Sequence, residues 1–289
     1  MPLVSSQSWL ARARREHFAL GAFNANTLEQ MQAIVAAAEH MRAPAIIQVS
    51  HRALVYIGSG ESARGLRYIA ACGRIAAESV ATPIILHLDH GTETEVAQAI
   101  SLGFTSVMYD GAALAFEENI ARTRELGALA RRNGVCFEAE IGAVPRTRDQ
   151  KNAPHVELTD PTQAAEFARR TEIDALAIAI GSVHGMQRKQ IKLDLARLAA
   201  IRRVVDVPLV LHGSSGVTDA HLREGIRRGL CKINVATQLN QAFTRAVRER
   251  LAQKPDQVDP RDYLGWAREK MQTRVRERMR VFGCAGQAD

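Results

Sequence analysis

The chain has 289 residues, 46% of them apolar and 24% charged, with 38 Lys+Arg against 31 Asp+Glu for a net charge of +7. These fractions are those of folded globular chains and exclude disorder, a collagen-like fibre and a small disulfide scaffold. No apolar run approaches the roughly 18 to 20 residues that span a bilayer, so one large α/β barrel and two ordinary domains are the open alternatives.

Met1 to Ser8 has neither the charged nor the apolar stretch of a secretory signal. Trp9 to Arg15 reads as a helix plugging the bottom of a barrel. Apolar or β-branched runs then alternate with helical patterns: Leu20 to Asn24, Ala45 to Ser50, Pro83 to Asp89, Ser106 to Asp110, Cys136 to Ile141, Asp174 to Ile180, Pro208 to Gly213 and Lys232 to Ala236. Between them, Leu28, Met31, Ile34, Val35 and Ala38, and later Phe116, Ile120 and Leu126, recur at helical spacing. Gly103, Gly134 and Gly229 close helices. Continuously apolar strands are buried on both faces, and eight of them, each followed by a helix, close into a (β/α)8 TIM barrel. A doubly wound sheet would carry G-x-G-x-x-G after its first strand, where this chain has Asn24-Ala25-Asn26. Beyond Lys254 the pattern becomes a charged helix through Arg280. The expected division is therefore a barrel catalytic domain over 1–254 and a C-terminal helical arm over 255–289, packing on the barrel or on a partner subunit.

Cys72, Cys136, Cys231 and Cys284 form no C-x-x-C pair, which argues against a disulfide framework or a thiolate zinc cage and makes a reducing cytoplasm the default compartment. The basic pairs Arg131-Arg132, Arg202-Arg203 and Arg227-Arg228 fall at expected helix ends, where cations favour the dipole and solvent. An anionic small substrate fits the positive balance better than nucleic acid.

In a barrel of this kind the chemistry gathers at the carboxyl ends of the strands. There the chain places His87-Leu88-Asp89-His90-Gly91, Asp110-Gly111, Glu138-Ala139-Glu140, Gly181-Ser182-Val183-His184-Gly185, His212-Gly213 and Asn234-Val235-Ala236-Thr237. One histidine at a strand end is ordinary. Three on three strands, beside Asp89, Asp110 and Glu140, are hard to explain as packing, since buried polar groups are costly unless paired or metal-bound. His90, His184 and His212 give a three-histidine site with an open position, the arrangement of catalytic Zn²⁺. His17, His40, His155 and His221 read as solvated, His87 faces the barrel interior, and His51 stays undecided. Gly213-Ser214-Ser215-Gly216 and Asn234 to Thr237 follow strands seven and eight, where barrel enzymes hold a phosphate. Ordinary tight turns with hydroxyl helix caps are the alternative.

These motifs, together with Ala22-Phe23-Asn24, Gly103-Phe104-Thr105-Ser106-Val107-Met108, Lys232-Ile233-Asn234 and the tail Asp259-Pro260-Arg261, resemble the class II, metal-dependent ketose-bisphosphate aldolases over essentially the whole chain. The group includes fructose-bisphosphate and tagatose-bisphosphate aldolases. The resemblance implies His90, His184 and His212 as ligands of a catalytic Zn²⁺, and Asp89 as the group exchanging a proton with the substrate hydroxyl at the cleaved bond. It implies Asp110 and Glu140 near a second or displaced divalent metal. It further implies Asn24, Gly185, Gly213, Ser214, Ser215, Asn234, Val235, Ala236 and Thr237 around dihydroxyacetone phosphate, with a monovalent cation (Na⁺ or K⁺) close by. Arg261 matches an arginine that reaches the distal phosphate, often across the interface of a homodimer or homotetramer. The implied reaction is retro-aldol cleavage of a ketose phosphate through a zinc-stabilised enediolate.

One departure stands out. Family members carry a loop Glu that handles the enediolate proton, and the aligned position here is Arg148, which stays protonated and cannot be a general base. Asp149 or Glu157 would have to substitute, or the substrate differs. Arg146, Arg148, Arg188, Lys189 and Arg261 are expected around the mouth, where they suit a second anionic group. A paralogue acting on another keto-sugar phosphate, by cleavage or isomerisation, and a non-catalytic sugar-phosphate binder are the competing readings.

Overall fold

In the computed structural model, which describes residues 2–145 and 158–288, each apolar run forms a strand and the eight strands close into a parallel barrel in sequence order. The first half of the chain runs α1 (Ser6–Glu16), β1 (Leu20–Asn24), α2 (Leu28–Met41), β2 (Ala45–Ser50), α3 (His51–Ile57), α4 (Ser62–Glu78), β3 (Ile84–Gly91), α5 (Glu93–Ser101), β4 (Ser106–Tyr109) and α6 (Phe116–Arg132). The second half runs β5 (Cys136–Ile141), α7 (Pro161–Thr171), β6 (Ala175–Ile178), α8 (Leu195–Val204), β7 (Leu209–Leu211), α9 (Asp219–Arg227), β8 (Leu230–Val235), α10 (Thr237–Gln253) and α11 (Pro260–Phe282). Closure is made by β1 against β8, with Leu20 opposite Lys232 and Phe23 opposite Val235. Strands buried on both faces need helices outside them, and the βα connections put the helices there.

Several strand ends fall one or two residues from those expected: β6 stops at Ile178 rather than Ile180, β8 starts at Leu230 rather than Lys232, and two others bear on the site. The third strand continues to Gly91, and the seventh stops at Leu211 because Gly213 turns away in a left-handed conformation. Leu28 is also exposed, so the core face of α2 begins at Met31. At the amino ends of the strands α1 closes the barrel floor: Val4 N donates to Ile84 O, Ser6 Oγ to Ser106 Oγ, Gln7 Nε2 to Asp174, and Arg14 to Asp206 O. At the other end of the chain α11 turns back along α10, with Arg250 and Lys254 both on Asp262. It then descends α2, where Arg268 bonds Gln32 and Arg276 meets His40, and it buries Met271, Val275, Met279 and Phe282. No helix among the described residues is long and apolar enough to cross a membrane.

Candidate active site

Side chains alternate along a strand, so with His87 and Asp89 facing inward, His90 would face the helices. Two local features reverse it. The β3–β4 register shifts between Leu88 and Gly91, and His90 adopts φ 50°. Such a backbone costs a non-glycine residue on the order of 1–3 kcal/mol and persists only where the surroundings hold it. His184 stands between Gly181 and Gly185 in the loop after β6, its N–H on Pro145 O. His212 follows directly on β7 and is fully buried.

The three rings converge. Centroids lie 4.9 Å (His90–His212), 5.7 Å (His90–His184) and 6.0 Å (His184–His212) apart, and one nitrogen of each falls within 4.8 Å of the others. His90, Asp110 and Glu140 make a second group within the same limit. Carboxylates set the ring orientations: Asp110 Oδ2 lies 2.7 Å from His90 Nδ1, and Glu138 Oε1 lies 3.0 Å from His212 Nε2. His90 Nε2 and His212 Nδ1 are thereby left facing each other at 3.1 Å.

The donor set fits a divalent cation. Glu140 Oε2 is buried without a hydrogen-bond partner among the described residues, 4.0 Å from His90 Nδ1 and 3.7 Å from His212 Nδ1. A buried carboxylate oxygen in that position is costly unless a cation or proton meets it. The titration directions agree. Burial raises the Glu140 pKa above its ordinary range. Burial disfavours charged His90, yet Asp89, Asp110 and Glu140 outweigh it and hold its pKa up at about 10. Asp89, buried but facing His90, His212 and Lys232, is held below the carboxylate range; its Oδ1 accepts from Asn234 Nδ2 at 3.1 Å.

A cavity of about 440 Å³ opens over this cluster. One wall is Gly185, Gly213, Ser214, Ser215, Asn234, Ala236 and Thr237, and Asn24 adjoins it. The opposite wall is Ser50, His51, Arg52 and Thr92. Asp89, His90, Asp110 and His184 line the cavity between the two. Gly213 opens a short 3₁₀ turn, Ser214–Gly216, at φ 65°, and Gln238, in the first turn of α10, caps that turn through Ser215 O at 2.7 Å.

Two expected substrate contacts are not brought to this cavity. Val235 is buried in β8 with its side chain away from the lining, because Asn234 takes the inward position. Arg261 sits at the first turn of α11, its side chain 88% exposed and bound to Asp259. Lys189 also stands apart, on Asp219, in a larger cavity of about 940 Å³ beside α10 and α11 that shares Ser215 and Thr237 with the first. Arg146, Arg148, Asp149, His155 and Glu157 lie outside the described residues. Four further polar residues stand at or below this site: Gln48 and Arg52, to which no sequence motif points, and Glu138 and Lys232, which stand in the strand motifs without a role of their own. Two-residue spacing to a known inward residue (Glu138 to Glu140, Lys232 to Asn234) was the available signal. His51, left undecided, borders the cavity with Nδ1 on Glu95 Oε1 at 2.6 Å.

Fold and site together define a TIM-barrel protein whose mouth joins a candidate divalent-metal centre to a glycine- and hydroxyl-lined wall. The profile of the family described as "Fructose-bisphosphate aldolase class-II" matches residues 4–287, and the chain belongs to that family of lyases. It is 42% identical over 291 residues to a probable fructose-bisphosphate aldolase of Bacillus subtilis, covering 100% of both chains. It is 40% identical to the fructose-bisphosphate aldolase of Geobacillus stearothermophilus, covering 100% of this chain and 99% of that one. Among solved structures, the YdjI aldolase of Escherichia coli K12 superposes with a TM-score of 0.84 at 33% identity, covering 99% of this chain and 100% of its own.

Proposed function

We propose that the protein is a metal-dependent aldolase that cleaves or forms a ketose phosphate, in the leading reading a ketose 1,6-bisphosphate, with dihydroxyacetone phosphate and an aldehyde as the products of cleavage. The observation that carries this reading is the placement of buried Asp89 beside three convergent imidazoles and opposite a wall suited to a phosphate. His90, His184 and His212 would hold one Zn²⁺ per subunit, with Asp110 and Glu140 able to take a second or displaced divalent ion. A metal held there supplies Lewis-acid stabilisation of the negative charge that develops on the substrate carbonyl oxygen.

The chain's own groups do the rest. Backbone N–H groups and hydroxyls around Gly185, Gly213, Ser215, Asn234 and Thr237 suit the phosphate of the dihydroxyacetone half, with Na⁺ or K⁺ beside it. Asp89, ionised and steadied by Asn234, takes the proton of the hydroxyl at the bond to be cleaved. As that C–C bond breaks, the oxygen becomes an aldehyde carbonyl and the electron pair stays with the ketone fragment, whose carbon then gains a proton to leave as dihydroxyacetone phosphate; Asp149 or Glu157 would supply that proton in place of the loop Glu. Strand β2 stands four places from β6 in the ring of eight, so the distal half of the sugar is directed toward Ser50, His51 and Arg52. A homodimer or homotetramer would let exposed Arg261 serve a neighbouring mouth, and the cytoplasm suits such a substrate.

Arg148 favours a second reading, a family member whose distal anionic group differs from that of the common bisphosphates. A mere sugar-phosphate binder has little use for Asp89. The test is a panel of ketose mono- and bisphosphates with coupled detection of dihydroxyacetone phosphate, repeated with Arg148→Glu. Cleavage of a bisphosphate by the unaltered protein is expected. No dihydroxyacetone phosphate from any ketose phosphate would overturn the reading.

A further inference from the structure

Below the mouth the barrel interior holds a column of buried polar side chains that the proposed reaction never touches. From the floor upward, Ser6 Oγ donates to Ser106 Oγ at 3.1 Å, and Ser106 Oγ meets His87 Nδ1 at 2.7 Å. His87 Nε2 faces Lys232 Nζ at 3.2 Å, and Lys232 Nζ donates to Glu138 Oε2 at 2.7 Å. Glu138 Oε1 ends the column against His212 Nε2 at 3.0 Å. His87, Glu138, His212 and Lys232 are all at most 2% exposed. TIM-barrel interiors are ordinarily packed with branched aliphatic side chains. Buried ion pairs contribute little net stability compared with apolar groups of the same shape, so stability alone is a poor reason for this column.

Its geometry supplies another. An ammonium has only protons to offer, so Lys232 fixes Glu138 Oε2 as an acceptor and orients the carboxylate. The second oxygen then accepts from His212, which places the imidazole proton on Nε2 and the lone pair on Nδ1. Nδ1 is the nitrogen that faces His90 Nε2 at 3.1 Å and Glu140 Oε2 at 3.7 Å. Lys232 does not line the cavity and has both neighbours engaged, so it is no nucleophile toward substrate.

We propose that Lys232 and Glu138 are positioning residues for the metal centre: Lys232, seated on His87, clamps Glu138, and Glu138 locks His212 in the tautomer that aims Nδ1 at the metal. The inference rests on the proposed reading of His212 as a ligand. Carboxylates and carbonyls behind ligand histidines act this way in general, and their loss weakens metal binding about 10–100-fold.

The test replaces the pair as a unit, so that no buried charge is orphaned. Metal-stripped parent, Glu138→Leu/Lys232→Met and Glu138→Gln/Lys232→Met are titrated with Co²⁺ against a chromophoric chelator, and the visible band of the bound ion is recorded. Glu138→Ala/Lys232→Met takes the place of the leucine variant if leucine does not fit. The leucine variant is expected to melt near the parent, bind Co²⁺ about 10–100-fold more weakly and show an altered band. Glutamine retains an oxygen that can accept from His212 Nε2 but has lost the Lys232 clamp, so the Gln variant recovers part of the affinity. Parental affinity and band in the leucine variant, or no recovery with glutamine, would overturn the positioning role. A parent that binds no Co²⁺ would instead sink the metal reading itself.

Discussion

Replacing Gly213 by alanine perturbs the turn between His212 and the phosphate-suited wall by a single methyl group. At φ 65° an alanine carries left-handed strain of about 1–2 kcal/mol, partly offset by about 0.4–1 kcal/mol from the stiffer unfolded chain. The added Cβ would also sit 2.8 Å from Val183 C, 3.0 Å from Val183 N and 3.1 Å from His184 N, all backbone atoms with no rotamer to yield. Overpacking of this kind costs about 1–3 kcal/mol. Gly134 provides the control: its φ is 67°, yet nothing lies within 4 Å of an added Cβ. At roughly 2–4 °C per kcal/mol for a chain of this size, Gly134→Ala lowers the melting temperature by no more than a few degrees. Gly213→Ala lowers it on the order of 10 °C by the same conversion. Relief of the clash must move the Val183–His184 backbone, and a shift approaching 1 Å in a reacting group costs about 10²-fold in rate. Differential scanning fluorimetry, chelator competition for Zn²⁺ and the coupled aldolase assay measure the three effects. Gly213→Ala with parental Zn²⁺ affinity and rate, or the same loss of stability at Gly134, would refute the account of this turn.

Asp89→Asn keeps the shape of the side chain and removes the proton acceptor, so metal content stays at the parental level while turnover falls about 10²–10⁴-fold. Metal analysis beside the coupled assay checks this, and normal turnover would overturn the role of Asp89. Metal uptake should depend steeply on pH. His90, with its pKa raised from 6.5 to about 10, holds a proton that the metal must displace. Apparent affinity therefore rises about tenfold per pH unit well above neutrality, because binding releases that proton. Chelator competition between about pH 7 and 9 reads this directly, and an affinity flat over that range would contradict the cluster's electrostatics. Arg52→Ala should raise KM for a ketose bisphosphate about tenfold or more, as the loss of a charge-assisted contact of 1.4 kcal/mol or above requires. It should leave KM for the matching 1-monophosphate unchanged, and an equal effect on both would remove Arg52 from the distal wall.

The eight strands and their order were legible because each run is apolar throughout, and a run buried on both faces leaves few arrangements besides a covered parallel barrel; their ends were legible to within about two residues. The His-x-x-x-Gly and Gly-Ser-Ser-Gly motifs were legible for a related reason: strand ends in such a barrel share one mouth wherever they stand in the chain. Alternation along a strand carries nothing about the neighbouring strand. His90 enters the mouth only through a register shift against β4 and a positive φ, and both depend on the neighbouring strand. Glu138 and Lys232 lie on strands three apart in the barrel, and only its closure makes them a pair. Lys189 reads as one of the mouth's positive charges, but its ion pair with Asp219 holds it in the neighbouring cavity, while Arg261 stands exposed beside Asp259 at the start of α11. The sequence by itself thus determined the barrel and the inventory of its chemistry, since both rest on local periodicity and on topology. Only the tertiary structure decided which groups face one another, because hydrogen bonding and desolvation act over a few ångströms between residues that the chain keeps far apart.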